Sequence, residues 1–222
     1  MFNHIPLDLP KLKRVVQNGK RYYTNETHDF RYVSITSVTS NYNKEFFQEW
    51  RKKVGDEKAD EITRKSTSRG TDTHTLIEHY LYNQEELPQV QSLSEELFEI
   101  IKPSLDRISN IRILEGSLYS DKLKIAGTAD CIADFDGELS IIDFKTSAKP
   151  KPVEWIEGYF VQAVAYSAML YELTGLTAKK LVILMTCENG ELVVYESTDI
   201  NRYLKTLLKY IKKYNNDYAR KN

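Results

Sequence analysis

The sequence predicts an α/β fold of the α+β kind, a mixed central β-sheet flanked by helices. Two observations carry that expectation. Helical spacing dominates residues 44–110 and gives way abruptly to three strand-like runs between residues 111 and 146. A largely apolar helix over 155–173 then separates those strands from a further strand pair, and an amphipathic helix closes the chain.

Residues 1–43 hold no long periodic segment and read as an N-terminal extension; Tyr22, Tyr23, Tyr32, Val33, Ile35 and Val38 predict one or two short strands in it. The main domain is expected over 44–222. Phe46, Phe47 and Trp50 mark a helix from Lys44 to about Thr63, broken at Gly55, and Gly70 precedes a second over Thr71–Tyr82 with Leu76, Ile77, Tyr80 and Leu81 on its apolar side. A third starts at Ser94, and Pro103 should kink or split it. Strands follow at 111–119, 124–135 and 138–146. Asp136-Gly137 joins the last two as a two-residue hairpin, because both turn positions need positive φ. Lys180–Thr186 is a continuous apolar strand, turned by Asn189-Gly190 into Glu191–Glu196, and the last helix begins near Asp199.

The 222 residues carry 31 basic and 32 acidic side chains, a net charge of −1. Any nucleic-acid surface must therefore be a local patch. Basic residues do gather on the last helix, at Arg202, Lys205, Lys209, Lys212, Lys213, Arg220 and Lys221, where the ordinary reading is a solvated face. Cys131 and Cys187 sit in apolar runs and read as small core residues; two such residues cannot make an iron–sulfur cluster or a zinc tetrahedron. No run reaches the roughly 18 apolar residues of a membrane span. The first residues lack a signal peptide's apolar run, so a soluble intracellular protein without a membrane partner is expected, cytoplasmic or in the host cell if the source is viral.

The hairpin carries the chemistry. With a two-residue turn, Phe135 faces Glu138, Ile132 faces Ile141, and Asp130 falls opposite Asp143 with Cβ atoms about 4.5–5.5 Å apart. Alternation adds Lys145 to that face, opposite Thr128. Two opposed carboxylates in apolar surroundings demand compensation from a raised pKa, a cation or a metal. Hard carboxylate oxygens suit magnesium or manganese.

These residues resemble a known superfamily. Gly127-Thr128-Ala129-Asp130, followed by Ile142-Asp143-Phe144-Lys145-Thr146, is similar to the PD-(D/E)XK nucleases, in their RecB-like exonuclease branch. Gln162 and Tyr166 match that branch's Q-x-x-x-Y element, and Arg69-Gly70-Thr71-Asp72-Thr73-His74 its upstream helix. The run from Ile141 to Pro152, with Tyr32–Val38 and Trp50 upstream, is similar to the mitochondrial genome maintenance exonucleases of that branch and their phage and bacterial relatives. Ile142 stands where the family name has proline, and the cysteine cluster of iron–sulfur members is missing, so no iron–sulfur cluster is expected.

The resemblance implies a restriction-endonuclease-like core and a set of roles. Asp130, Asp143, His74 and the backbone carbonyl of Phe144 would hold one or two Mg2+ or Mn2+ ions, with Glu115 a second-metal candidate. Lys145 would lie beside the attacking water. Gln162, Tyr166, Arg69, Lys149 and Lys151 would touch the substrate strand. The activity implied is hydrolysis of single-stranded DNA or flaps from an end, in replication, recombination or repair, with replication or recombination proteins as partners. An endonuclease of the same superfamily and a non-catalytic DNA-binding protein with this fold remain open. A glycosidase using the two aspartates fits worst, because directly opposed carboxylates leave little room for a sugar.

Overall fold

In the computed structural model, which describes residues 1–25 and 30–219, one eight-stranded sheet organises the chain. The N-terminal segment supplies three strands, β1 (Lys13–Gln17), β2 (Lys20–Thr24) and β3 (Arg31–Ser34), all joined to the main sheet. Asn18 and Gly19, both at positive φ, make the tight turn between β1 and β2. Ile35 and Val38 are helical rather than extended. The Ser34 hydroxyl accepts from the Thr36 N–H and caps α1 (Ile35–Tyr42), which buries both side chains.

α2 (Lys44–Val54) ends at Gly55, as its spacing predicts, and α3 (Asp56–Leu81) then runs unbroken through Gly70. A Cβ at Gly70 would lie 3.7 Å from Thr146 Oγ1. The glycine thus brings the helix close to the strand that carries Lys145. α4 (Ser92–Leu105) also continues past its proline, because Pro103 lies in the last turn. β4 (Ile108–Ser120), β5 (Ile125–Phe135) and β6 (Glu138–Ser147) follow, then α5 (Glu157–Thr174), β7 (Lys180–Cys187), β8 (Leu192–Ser197) and α6 (Ile200–Ala219).

The order across the sheet is β1-β2-β3-β5-β6-β7-β8, with β4 on the other edge of β5. β3–β5 and β6–β7 are parallel and the remaining pairs antiparallel, so the sheet is mixed. α3 and α4 cover one face through Leu76, Ile77, Phe98 and Ile101. α1, α5 and α6 cover the other through Val38, Phe160, Val164, Leu207 and Tyr210. α5 is wrapped by the sheet and by helices α1 and α6, which is why its sequence is apolar nearly all round. On α6 the buried stripe is Tyr203, Leu207, Tyr210 and Tyr214, and its described basic residues lie off that stripe, while Arg220 and Lys221 fall outside the described residues. No helix among the described residues is long and apolar enough to cross a membrane.

Gly127, on β5, is where α1 and α5 press hardest on the sheet. A Cβ there would sit 2.8 Å from Ile35 Cγ2 and 2.8 Å from Tyr166 Cε1. Gly127→Ala should therefore overpack the core and cost about 1–3 kcal/mol. Urea unfolding checks this, and an unchanged midpoint would show that the contact is soft.

Candidate active site

The site lies where the sheet forks. One edge of β5 pairs with β4 along its length, while the other edge is shared: Ile125 and Ala126 pair with β3, and Cys131–Phe135 pair with β6. Among the described residues, none pairs as a strand with residues 127–130 of that edge. The hairpin register expected from Asp136-Gly137 holds from Phe135–Glu138 to Cys131–Ile142 and ends there, one pair short of Asp130 and Asp143. β6 instead continues alongside β7. A side chain fills the gap. The Asp130 carboxylate accepts the Phe144 backbone N–H at 2.9 Å, replacing the ladder bond that β5 no longer supplies.

The Phe144 carbonyl is also taken up by side chains. His74, brought in on α3, donates to it through Nε2 at 2.9 Å, and Lys145 Nζ lies 3.3 Å from it. This carbonyl was expected to be a metal ligand; in the structure it accepts from His74 and lies beside the Lys145 ammonium. A carbonyl only accepts, so Nε2 carries the proton and Nδ1 is left facing Glu115 at 3.8 Å and Asp130 at 3.9 Å. Burial lowers the His74 pKa, but Asp130 and Glu115 outweigh it and the net shift is upward.

Glu115 enters from β4 with φ at 50°, a left-handed conformation uncommon for a glutamate in a strand. It breaks the ladder between the Leu114–Cys131 and Gly116–Ala129 pairs, opposite Asp130. His74, Glu115 and Asp130 each bring one ligand atom to within 4.8 Å of the others. One imidazole and two carboxylates form a mixed nitrogen–oxygen set of the kind that would suit manganese or magnesium. The resemblance implied His74, Asp130, Asp143 and the Phe144 carbonyl as ligands, with Glu115 a second-metal candidate; of these side chains the structure brings His74, Glu115 and Asp130 together.

Asp143 stands apart from this triad. It is 1% exposed, and among the described residues its one polar partner is the Lys145 ammonium, an ion pair at Oδ2. Neither oxygen receives a well-formed hydrogen bond. Burial pushes its pKa up to about 6, against the pull of Lys145. Under-satisfied carboxylate oxygens one strand from the triad are what a cation at the fork would complete. The Lys145 ammonium lies over the Tyr159 ring, 5.2 Å from its centroid.

The residues expected on the substrate strand divide. Tyr166 is buried beneath Gly127, and Gln162 Nε2 lies 3.4 Å from its hydroxyl, so this pair braces α5 against β5 from inside. Arg69 is paired with Glu188 and donates to Thr146 Oγ1 at 3.2 Å. Lys151 donates to the Tyr159 hydroxyl at 2.8 Å. Lys149 is exposed and makes no ion pair among the described residues.

A forked mixed sheet with His, Glu and Asp at the fork and an Asp-x-Lys strand beside it defines a class, and the family comparison agrees. Residues 38–217 match the model of the PD-(D/E)XK nuclease superfamily, and the chain belongs to that superfamily. It is similar to mitochondrial genome maintenance exonuclease 1 of Homo sapiens, at 28% identity over 172 residues, covering 73% of this chain and 46% of that protein. The Mus musculus counterpart is 32% identical over 113 residues, 49% of this chain and 33% of that one. The chain thus matches between a third and a half of the length of these relatives.

Two measurements test the triad. Glu115→Gln and His74→Ala should each weaken Mn2+ binding in calorimetry by about tenfold or more, the loss expected when one ligand or its orienting partner goes. Unchanged affinity in both overturns the assignment. Glu115→Gly should also be more stable than Glu115→Ala by about 1 kcal/mol, since only glycine takes the left-handed conformation freely. Equal stabilities would mean the strand relaxes to an extended form.

Proposed function

We propose that this chain is a divalent-metal-dependent exonuclease that hydrolyses phosphodiester bonds of single-stranded DNA, including flaps, in replication, recombination or repair. The observation that carries the reading is the meeting of His74, Glu115 and Asp130 at the fork, with Lys145 held beside them by Asp143. Mg2+ or Mn2+ is the proposed cofactor. When bound, such an ion neutralises phosphate oxygens and makes hydroxide available near neutral pH.

The protein's own groups do the rest. His74 is fixed by the Phe144 carbonyl, so Nδ1 is offered to the ion without reorganisation. Asp130 spans both roles, tying β6 to β5 through one oxygen and facing the triad with its carboxylate. Lys145 is directed by Asp143 and the Phe144 carbonyl toward the same opening. There its ammonium can donate to the water or to the phosphate oxygen on which charge develops. The bond formed is water oxygen to phosphorus, the bond broken is phosphorus to the bridging oxygen, and the leaving oxygen takes up a proton.

End dependence rests on the relatives' name, which calls those proteins exonucleases; the preference for single strands rests on the resemblance to the RecB-like branch. An intracellular compartment that holds DNA is proposed; the same name ties those proteins to the mitochondrial genome. Proteins of replication or recombination are the proposed partners.

Linear and circular single strands of one sequence, with the matched duplex alongside, provide the test in Mn2+. Degradation of the linear strand alone is expected. Equal cleavage of the circle would make the protein an endonuclease, and preference for blunt duplex would remove the single-strand assignment. Lys145→Ala should cut turnover by about a hundredfold or more while Mn2+ affinity holds, because the ammonium acts on the transition state. Full activity in that variant would overturn its role.

A further inference from the structure

Beside the triad the structure has a second polar feature that the chemistry above does not use. Two residues along β4 from Glu115 is Ser117, and two residues along β5 from Asp130 is Thr128, and the register pairs them. Their hydroxyls are 3.2 Å apart, and the Tyr23 hydroxyl, on β2, is 3.0 Å from Thr128 Oγ1. Three hydroxyls carry three protons, and the two contacts consume two. One O–H remains to donate outward. Tyr23 is buried, whereas Ser117 and Thr128 are half-buried.

Ser117 also lines an open cavity of about 490 Å³ between β4 and the N-terminal segment. That segment holds to β4 through Ile5 N–H to the Ile111 carbonyl and Leu7 N–H to the Arg112 carbonyl, then swings away. The departure leaves Leu9, Pro10 and Leu12 on one wall, with Gly116 and Ser117 opposite. Lys11 lies in the same wall, exposed and without an ion pair among the described residues. Arg112 is at the cavity too, but Asp134 already neutralises it at 2.5 Å. The cavity therefore combines one uncommitted cation, a surplus hydroxyl donor and apolar walls, which together match a nucleotide.

We propose that this cavity is a substrate subsite for the nucleotide next to the cleaved bond. The flanking phosphate lies against Ser117 and Lys11, with Thr128 behind Ser117 holding its hydroxyl, and the base lies against Leu9 and Leu12. A strand advances about 3.3 Å per residue, so the hydroxyl pair is about 6.6 Å along from Glu115 and Asp130, a step comparable with that between adjacent phosphates of an extended strand. The neutral hydroxyls suit this position. They can grip a phosphate without competing with the acidic triad for its cation. Because the occupant is a piece of the cleaved strand, the inference rests on the nuclease reading above.

Single-stranded oligonucleotides carrying one uncharged methylphosphonate at successive positions around the cleaved bond form the probe. Their binding to the full chain is read by fluorescence anisotropy with Ca2+ in place of Mn2+, and their cleavage is followed in Mn2+. At one position next to the cleaved bond, the neutral linkage should weaken wild-type binding about tenfold, as loss of one charge-assisted contact does. Lys11→Ala and Thr128→Val should raise KM by a similar factor, keep kcat within about twofold, and lose no further affinity to the neutral linkage at that position. Mn2+ affinity should stay as in the wild type, which separates this effect from damage to the triad. Wild-type KM in both variants, or methylphosphonate penalties that add to theirs at every position, would overturn the subsite. An absence of cleavage by the wild type in Mn2+, with the binding pattern intact, would sink the nuclease reading while leaving the subsite standing.

Discussion

The hydrogen bond from the Phe144 N–H to the Asp130 carboxylate is the constraint on which the site is built. A sheet that opens in its middle leaves backbone donors and acceptors unpaired, and an unpaired buried N–H costs as much as a lost hydrogen bond. Here β5 and β6 part after Cys131 and Ile142, and the exposed groups of Phe144 are met by Asp130 on one side and His74 on the other. The same two bonds therefore close the fork structurally and aim the two side chains chemically. Loss of Asp130 would remove more than a proposed ligand, because it also frees the edge of β6 on which Lys145 stands.

Two further costs are concentrated at the fork. Glu115 occupies a left-handed conformation that a strand glutamate ordinarily avoids, at about 1–2 kcal/mol. Asp143 keeps a carboxylate in the interior with one ion-pair partner. A buried pair of that kind is weak evidence of stability, since desolvation offsets much of the attraction. Its value lies in direction: Lys145 is held between Asp143, the Phe144 carbonyl and the Tyr159 ring, so its ammonium has little freedom to leave the opening. β4 has a second irregularity, a register shift between Ser109 and Ile113 with Asn110 at positive φ, but the one at Glu115 falls where the chemistry is proposed.

Much of this was legible in the residues. Asp136-Gly137 specified the hairpin and its register correctly as far as Cys131–Ile142, and period-two reasoning placed Asp143 and Lys145 on one strand face. It failed one step later, because an alternation rule assumes that the ladder continues and has no way to represent a side chain replacing it. The β1–β2 hairpin went unread although Asn18-Gly19 is the same kind of turn signal as Asp136-Gly137. Ile35 and Val38 looked like strand residues because β-branched side chains favour strands; the serine cap before them outweighed that preference. Gly70 looked like a helix boundary because the close approach of α3 to Thr146 is a tertiary fact. The left-handed turn at Glu115 has no local signature at all.

The electrostatics of the fork also bear on the nucleic-acid contacts proposed for it. Arg69 and Lys151 were expected to touch the substrate strand; Arg69 is paired with Glu188, and Lys151 donates to the Tyr159 hydroxyl. Glu115 and Asp130 converge on the triad, Asp143 lies near enough to feel Asp130, and Glu78 is close enough to feel Glu115. Against that excess Lys145 is the cation held in place, and it is already paired. A phosphate approaching these residues alone meets net repulsion. On the proposed function, a bound divalent ion would reverse that charge and turn the fork from a surface that repels DNA into one that attracts it. Metal binding and substrate binding would then be steps of one electrostatic event, and a chain of net charge −1 would need no basic surface to do it.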